Sequence, residues 1–269
     1  KVISQNKIKT YEKNCHRMKQ DIIICPGVPK SGTTSLWKFL KLNGFNISEK
    51  ESHYLTQLYG ETTTDEFEEL PDFIPKDTFE IFFRDWVSFK LSEDYPGTYA
   101  GYIKYLTHTG FVDFSQTYYF LPETFFSQVK EELSDYNVKI ILLFREPISR
   151  LFAQCHLFRR LIGSHVNVSQ VFDKCLEIES VQTLYPDVKT KFENVFDDVI
   201  CLSMEKLFSS NEESEKLCKF LDITNSNVNI KTIRENVNSN YNGLEDLTEY
   251  QIDRARELLK PSVNTYDHI

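Results

Sequence analysis

The chain has 269 residues, 41% of them hydrophobic and 14% aromatic, which is enough to bury a substantial core. Its formal net charge of −9 argues against general nucleic-acid binding and against a large polyanionic partner. No run of roughly 18 apolar residues occurs, so no transmembrane helix is expected. Residues 1–20 are polar and read as a lead-in without the look of a secretory signal. A single domain is expected over 21–269.

Ile22–Cys25 is an apolar run bounded by Pro26 and Gly27, the pattern of a short buried strand. A loop with Gly27, Lys30, Gly32, Thr33 and Thr34 follows, and a helix is expected over Thr34–Leu42, ending at Asn43-Gly44. Phe45–Ser48 reads as a short strand. Thr62–Pro75 is acidic with two prolines and suggests a surface excursion, Thr78–Ser92 a helix, and Asp94–Gly97 a turn. Tyr99, Tyr102 and Tyr105 form an aromatic cluster, either core or the wall of an acceptor pocket. Phe111–Tyr119 reads as a strand and its loop, and a helix is expected from Pro122 to about Leu133. Val138–Phe144 is the strongest buried strand, ending at Arg145-Glu146-Pro147 before a helix from near Ile148 towards Leu161. Further on, Val168–Leu176 and Glu212–Leu221 read as helices, Val199–Leu202 as a strand and Glu205–Phe208 as a turn. The last helix, Thr248–Leu259, is closed by Pro261. Strands alternating with helices predict an α/β fold with a central parallel sheet flanked by helices.

Strand, glycine loop and helix in this order make a phosphate site, because N–H groups at the helix start point at the anion and the helix dipole favours negative charge there. A nucleotide-hydrolase loop reads GxxxxGK followed by Ser or Thr. Gly27–Thr34 keeps both glycines and the final threonine, but Thr33 stands where the lysine belongs and Lys30 lies inside the loop. At the end of the strongest strand, where a hydrolase would want an acid for magnesium, the chain places Arg145. A cation there suits a second phosphate on the same ligand.

PKSGTTSL resembles the 5′-phosphosulfate loop of sulfotransferases that use 3′-phosphoadenosine 5′-phosphosulfate. The resemblance implies that Lys30 contacts the bridging oxygen between phosphate and sulfate. It also implies that Ser31, Gly32, Thr33, Thr34 and Ser35 line the 5′-phosphate. REPISR resembles the family's 3′-phosphate motif, with Arg145 as its arginine. The motif's serine, eight residues on, is Ala153 here, a departure that removes one donor worth on the order of 1 kcal/mol. Ser149, one turn earlier, is the candidate substitute. Lys50-Glu51-Ser52-His53-Tyr54-Leu55 resembles the KExHFF segment of the carbohydrate, heparan-sulfate-like branch, which implies Glu51 as general base with His53 beside it. An aspartate that sometimes follows there is Thr56. Phe111–Tyr119 resembles that branch's EKSPTYF stretch. Asp113 and Ser115 fit it, whereas Phe114 replaces a lysine that meets anionic sugars. The cytosolic phenol and steroid branch fits less well: Lys104–His108 faintly resembles its KTHLP loop, but Ser35 replaces its tryptophan and its RKG motif is missing. Cys201–Leu221 is similar to the family's E-x-L segment, and Asn238–Gly243 occupies the place of its cofactor-closing loop.

The expected activity is transfer of a sulfuryl group from 3′-phosphoadenosine 5′-phosphosulfate (PAPS) to a hydroxyl or amine of a carbohydrate or small molecule, leaving 3′-phosphoadenosine 5′-phosphate (PAP). No metal is required. Two other readings stay open: a nucleotide kinase or NTPase, and a non-catalytic nucleotide-binding module. The six cysteines contain no CxxC pair and read mainly as free thiols, pointing to the cytoplasm. A Golgi lumen location is the alternative if a targeting segment has been removed, and Asn46 and Asn167 head glycosylation sequons.

Overall fold

The structure, a computed structural model, describes residues 19–47, 52–62, 98–162, 168–182, 184–224, 228–233 and 247–269. Its centre is a parallel sheet of four strands in the order β2-β1-β3-β4. The strands are β1 (Asp21–Gly27), β2 (Val112–Phe114), β3 (Asn137–Phe144) and β4 (Asp198–Ser203).

Side chains alternate across a strand, so each buried strand feeds two cores. Ile22, Ile24, Ile140, Leu142 and Phe144 face one side. Ile23, Cys25, Ile141, Leu143, Ile200 and Leu202 face the other. The first face is covered by α2 (Tyr54–Thr62), α3 (Tyr99–Thr109), α4 (Glu123–Glu132) and α7 (Tyr185–Val195). The second is covered by α1 (Thr33–Leu42) and α9 (Asn211–Phe220). A third cluster holds no strand residue. It joins α5 (Pro147–Ile162), α6 (Val168–Gln182) and α10 (Glu249–Leu258) through Leu151, Cys155, Phe172, Leu176 and Ala255.

The parallel sheet and the expected strands at Ile22–Cys25, within Phe111–Tyr119, at Val138–Phe144 and at Val199–Leu202 are present. Other elements differ. Residues 45–47 form no strand, because the end of α1 recaptures the chain: Phe45 N–H donates to the Leu40 carbonyl (3.1 Å) around Gly44 at φ 89. The turn at Glu205–Phe208 is a one-turn helix, α8 (Met204–Leu207), whose Lys206 N–H is capped by Ser203 Oγ (3.2 Å). Pro261 does not close the helical region; it sits in the first turn of α11 (Lys260–Asp267), where its missing N–H costs nothing. Tyr99, Tyr102 and Tyr105 lie on α3, with Tyr102 and Tyr105 buried against Tyr54. The expectations for Thr78–Ser92, Asp94–Gly97, Asn238–Gly243 and most of Thr62–Pro75 lie outside the described residues, as does Cys15. None of the five described cysteines forms a disulfide. Among the described residues no helix is long and apolar enough to cross a membrane.

The strand order decides where a ligand can sit. From β1 the chain steps outward to β2, then returns across β1 to β3 and β4. The carboxyl ends of β1 and β3 therefore flank the switch point of the sheet, the crevice that α/β sheets use for ligands.

Candidate active site

The loop leaving β1 and the arginine leaving β3 meet at that crevice. The β1–β3 register slips between Ile24 and Gly27, so β1 carries one extra residue just before the loop. Beyond it Val28 N–H still reaches the Leu143 carbonyl (3.2 Å). Gly27 (φ 127), Lys30 (φ 64) and Gly32 (φ 84) take positive φ, which bends the loop back over the start of α1. Gly32 is also needed for space, since a Cβ there would lie 2.9 Å from Met204 Cγ. It forms the N-cap of α1 without a side-chain cap, and no acid stands in the first turn. A helix start left in this state favours an anion.

Two buried polar atoms in this region make no hydrogen bond: Ser31 Oγ and Arg145 Nε. Leaving such groups unmet is costly, so a ligand with acceptor oxygens suits both. Arg145 Nη1 donates to the Lys30 carbonyl (3.3 Å), tying the arginine to the loop. Glu205 Oε1 lies 3.9 Å from Arg145 Nε. The Arg145 carbonyl accepts from Tyr185 Oη (2.7 Å). One turn on, Ser149 is oriented by its N–H, which donates to Glu146 Oε2 (2.7 Å), while Ala153 is buried and offers no hydroxyl. Thr33 and Ser35 are buried and Thr34 half-buried on the first turn of α1. The loop, Ser31 and Arg145 thus fit a ligand bearing phosphate groups.

The other flank lies beyond β2. Ser115 N–H donates to the Cys25 carbonyl (3.2 Å), and a Cβ at Gly27 would lie 3.3 Å from the Gln116 carbonyl oxygen, so this strand end abuts the loop's start. Asp113 is fully buried within it. Oδ1 accepts from Ser52 Oγ (2.8 Å) and Ser115 Oγ (3.0 Å). Oδ2 accepts from Tyr102 Oη (2.9 Å) and Tyr118 Oη (2.7 Å). Burial pushes the Asp113 carboxyl above the usual carboxylate range, and the four hydroxyl bonds oppose that shift. The same hydroxyls serve the start of α2: Ser115 Oγ accepts His53 N–H (3.0 Å) and Tyr118 Oη accepts Leu55 N–H (3.1 Å).

His53 is buried, with φ 53, and its Nδ1 lies 2.8 Å from Thr117 Oγ1. Thr117 in turn bonds Thr56 Oγ1 (2.7 Å), so the residue at the departure position belongs to the cluster. Glu51, with Lys50, lies outside the described residues. Ser52, the next residue, is anchored on Asp113. Phe114, the residue in place of the family's lysine, is buried in the sheet. Among the described residues no three His, Cys, Asp or Glu side chains converge as a metal site would require.

The structure therefore brings Lys30, Ser31, Gly32 and Arg145 together on one side and fixes His53 on the other. Sequence reasoning placed Tyr102 in an aromatic cluster without its bond to Asp113, and missed Tyr118, Tyr185, Glu205 and Tyr266 as parts of the site. Asp113 carried a signal: an acid between Val112 and Phe114 in a buried strand demands partners. Nothing local in the sequence pointed to Tyr185 or Tyr266.

No family model and no curated protein sequence matches the chain. By structure it is similar to a sulfotransferase from Alicyclobacillus acidocaldarius, at 15% identity and TM-score 0.53, over 93% of this chain and 95% of that one. It is likewise similar to the sulfotransferase STF9 from Mycobacterium avium, at 12% identity and TM-score 0.50, over 97% of this chain and 81% of that one. The likeness is one of fold: the helix-flanked parallel sheet matches sulfotransferase structures.

Proposed function

We propose that the chain is a sulfotransferase that uses PAPS as donor and a hydroxyl, or an amine, of a carbohydrate or small natural product as acceptor. One observation carries this reading. A glycine loop with its lysine displaced inside meets an arginine at the end of β3, where a nucleotide hydrolase would place a magnesium-binding acid. Ser31 Oγ and Arg145 Nε, both without a hydrogen bond, support a ligand with two separate phosphates.

When bound, PAPS supplies the sulfuryl group. Ser31, Thr33, Thr34 and the amides around Gly32 hold the 5′-phosphate, and Arg145 with Ser149 holds the 3′-phosphate. Lys30 neutralises charge that develops on the leaving phosphate. Glu51 accepts the acceptor's proton as its oxygen forms the bond to sulfur, and His53 orients the acceptor. The hydroxyl cluster around Asp113 favours a carbohydrate-type acceptor loop, and Phe114 with the net charge of −9 favours an acceptor that is not a polyanion. Five described cysteines without a disulfide suit a reducing compartment.

The test is calorimetric titration with PAP without metal, beside ATP with magnesium. The reading expects PAP to bind and ATP to bind weakly; the reverse order establishes a nucleotide kinase. Lys30→Ala should lower turnover by at least about 100-fold with an unchanged melting temperature. Normal turnover in that variant would falsify the mechanism. PAP binding without turnover on any acceptor favours a non-catalytic module, the reading that the absent hydroxyl at Ala153 keeps open.

A further inference from the structure

Two sets of contacts link helix α11 to Arg145, the first by hydrogen bonds throughout, the second with a gap at its last step. In the first, buried Ser262 Oγ accepts Tyr185 N–H (3.0 Å), and Tyr185 Oη donates to the Arg145 carbonyl (2.7 Å). In the second, Lys206 N–H donates to Ser203 Oγ, which lies 2.9 Å from Tyr266 Oη, and Tyr266 Oη donates to Glu205 Oε2. The other oxygen of Glu205 accepts Glu146 N–H (3.4 Å) and faces Arg145 Nε at 3.9 Å.

That 3.9 Å gap is informative. It is too long for a hydrogen bond, and Arg145 Nε has none. A carboxylate and a guanidinium this close ordinarily close into a charge-assisted pair. Here Tyr266 holds the far oxygen, Oε2, while the Glu146 amide bonds the near one, Oε1. Burial, followed by the bond to Glu205, raises the Tyr266 phenol above its ordinary pKa, so it stays a donor at neutral pH. If Glu205 closed on Arg145, it would occupy a face of the guanidinium that an anionic ligand needs.

We propose that Tyr266 is a positioning residue for the anion site: it holds Glu205 off Arg145 and so keeps the guanidinium available to a phosphate monoester. Glu205 is then the built-in competitor of that phosphate. The proposal rests on the reading of Arg145 as a phosphate ligand given above.

The experiment is a double-mutant cycle read by calorimetry with PAP. Y266F should weaken binding roughly tenfold, the scale of one charge-assisted bond, because Glu205 is released onto Arg145. E205Q should bind at least as tightly as the parent, and Y266F/E205Q should bind like E205Q alone. A tyrosine that only supports the fold would cost the same in both backgrounds, and that additive result, or no loss in Y266F, overturns the proposal. A second readout needs no nucleotide: the rate at which an arginine-specific dicarbonyl modifies Arg145, followed by peptide mapping. Y266F should slow it and Y266F/E205Q should restore it. If the parent protein binds no PAP, the functional reading falls, while these rates still decide the fate of Tyr266.

Discussion

The two flanks of the loop are built on opposite terms. On the β2 side Asp113 is fully buried, and both its oxygens are filled by four hydroxyl groups. On the β3–β4 side Arg145 and Ser31 each keep a buried polar atom with no hydrogen bond, and Glu205 stands off at 3.9 Å. The Asp113 carboxylate is complete without a ligand; Ser31 and Arg145 have bonds still to make. A satisfied buried network holds one geometry, whereas unmet donors are where ligand affinity resides. The β2 flank accordingly fixes where His53 stands, and the β3–β4 flank is where we propose the ligand binds.

The contrast can be broken hardest at Asp113. Asp113→Ala strands four hydroxyls and frees the start of α2, and should cost on the order of 3 kcal/mol, read as a fall in melting temperature of roughly 6–12 °C. Asp113→Asn keeps the volume but loses one acceptor oxygen, and should fall between the parent and alanine. A melting temperature unchanged in Asp113→Ala would mean that the hydroxyls find other partners and that this flank is not the anchor it is taken for. Gly32→Ala tests the opposite flank. The new Cβ meets Met204 Cγ at 2.9 Å at a residue with φ 84, so stability should fall by about 1–2 kcal/mol and nucleotide affinity with it. Full affinity in that variant would remove the need for a close approach of the loop to α8.

The slightest effect is one of pH. Lys191 donates to the carbonyls of Tyr119 and, at 2.8 Å, Leu121, just past the Tyr118 that serves Asp113. Burial pushes its ammonium down to about 8 from the ordinary 10.5. The unfolded chain then holds this proton more tightly than the folded one, so stability should rise with pH between about 8 and 10. Above that, the buried phenols of Tyr102 and Tyr118, whose pKa values are raised by burial, pull the other way. Chemical denaturation across that interval should show the rise in the parent and lose it in Lys191→Met; equal slopes in the two proteins would refute it.

Much of the architecture was readable because it is local. Ile22–Cys25 and Val138–Phe144 are continuous apolar runs, and the loop between Gly27 and Thr34 is punctuated by glycines with a lysine at an informative place. Arg145 was legible because it ends the strongest strand. The Asp113 network was not, since Ser52, Tyr102 and Tyr118 come from three elements that only the fold brings together. The support of Arg145 was hidden for the same reason, with Tyr266 standing more than a hundred residues away in the chain. Pro261 misled because a proline that ends one helix can equally begin the next.

The third core, made of helices alone, has a kinetic consequence. The two sheet cores share strands β1, β3 and β4, so neither can open without the other. The cluster of Leu151, Phe172 and Ala255 contains no strand residue and is free to open as a separate cooperative unit. Helix α5 begins beside Arg145 at Pro147, yet its core residues Leu151, Phe152 and Cys155 all lie in the helical cluster. Opening of this unit should therefore expose the amides of α5, α6 and α10 to solvent exchange together, ahead of those of the four strands.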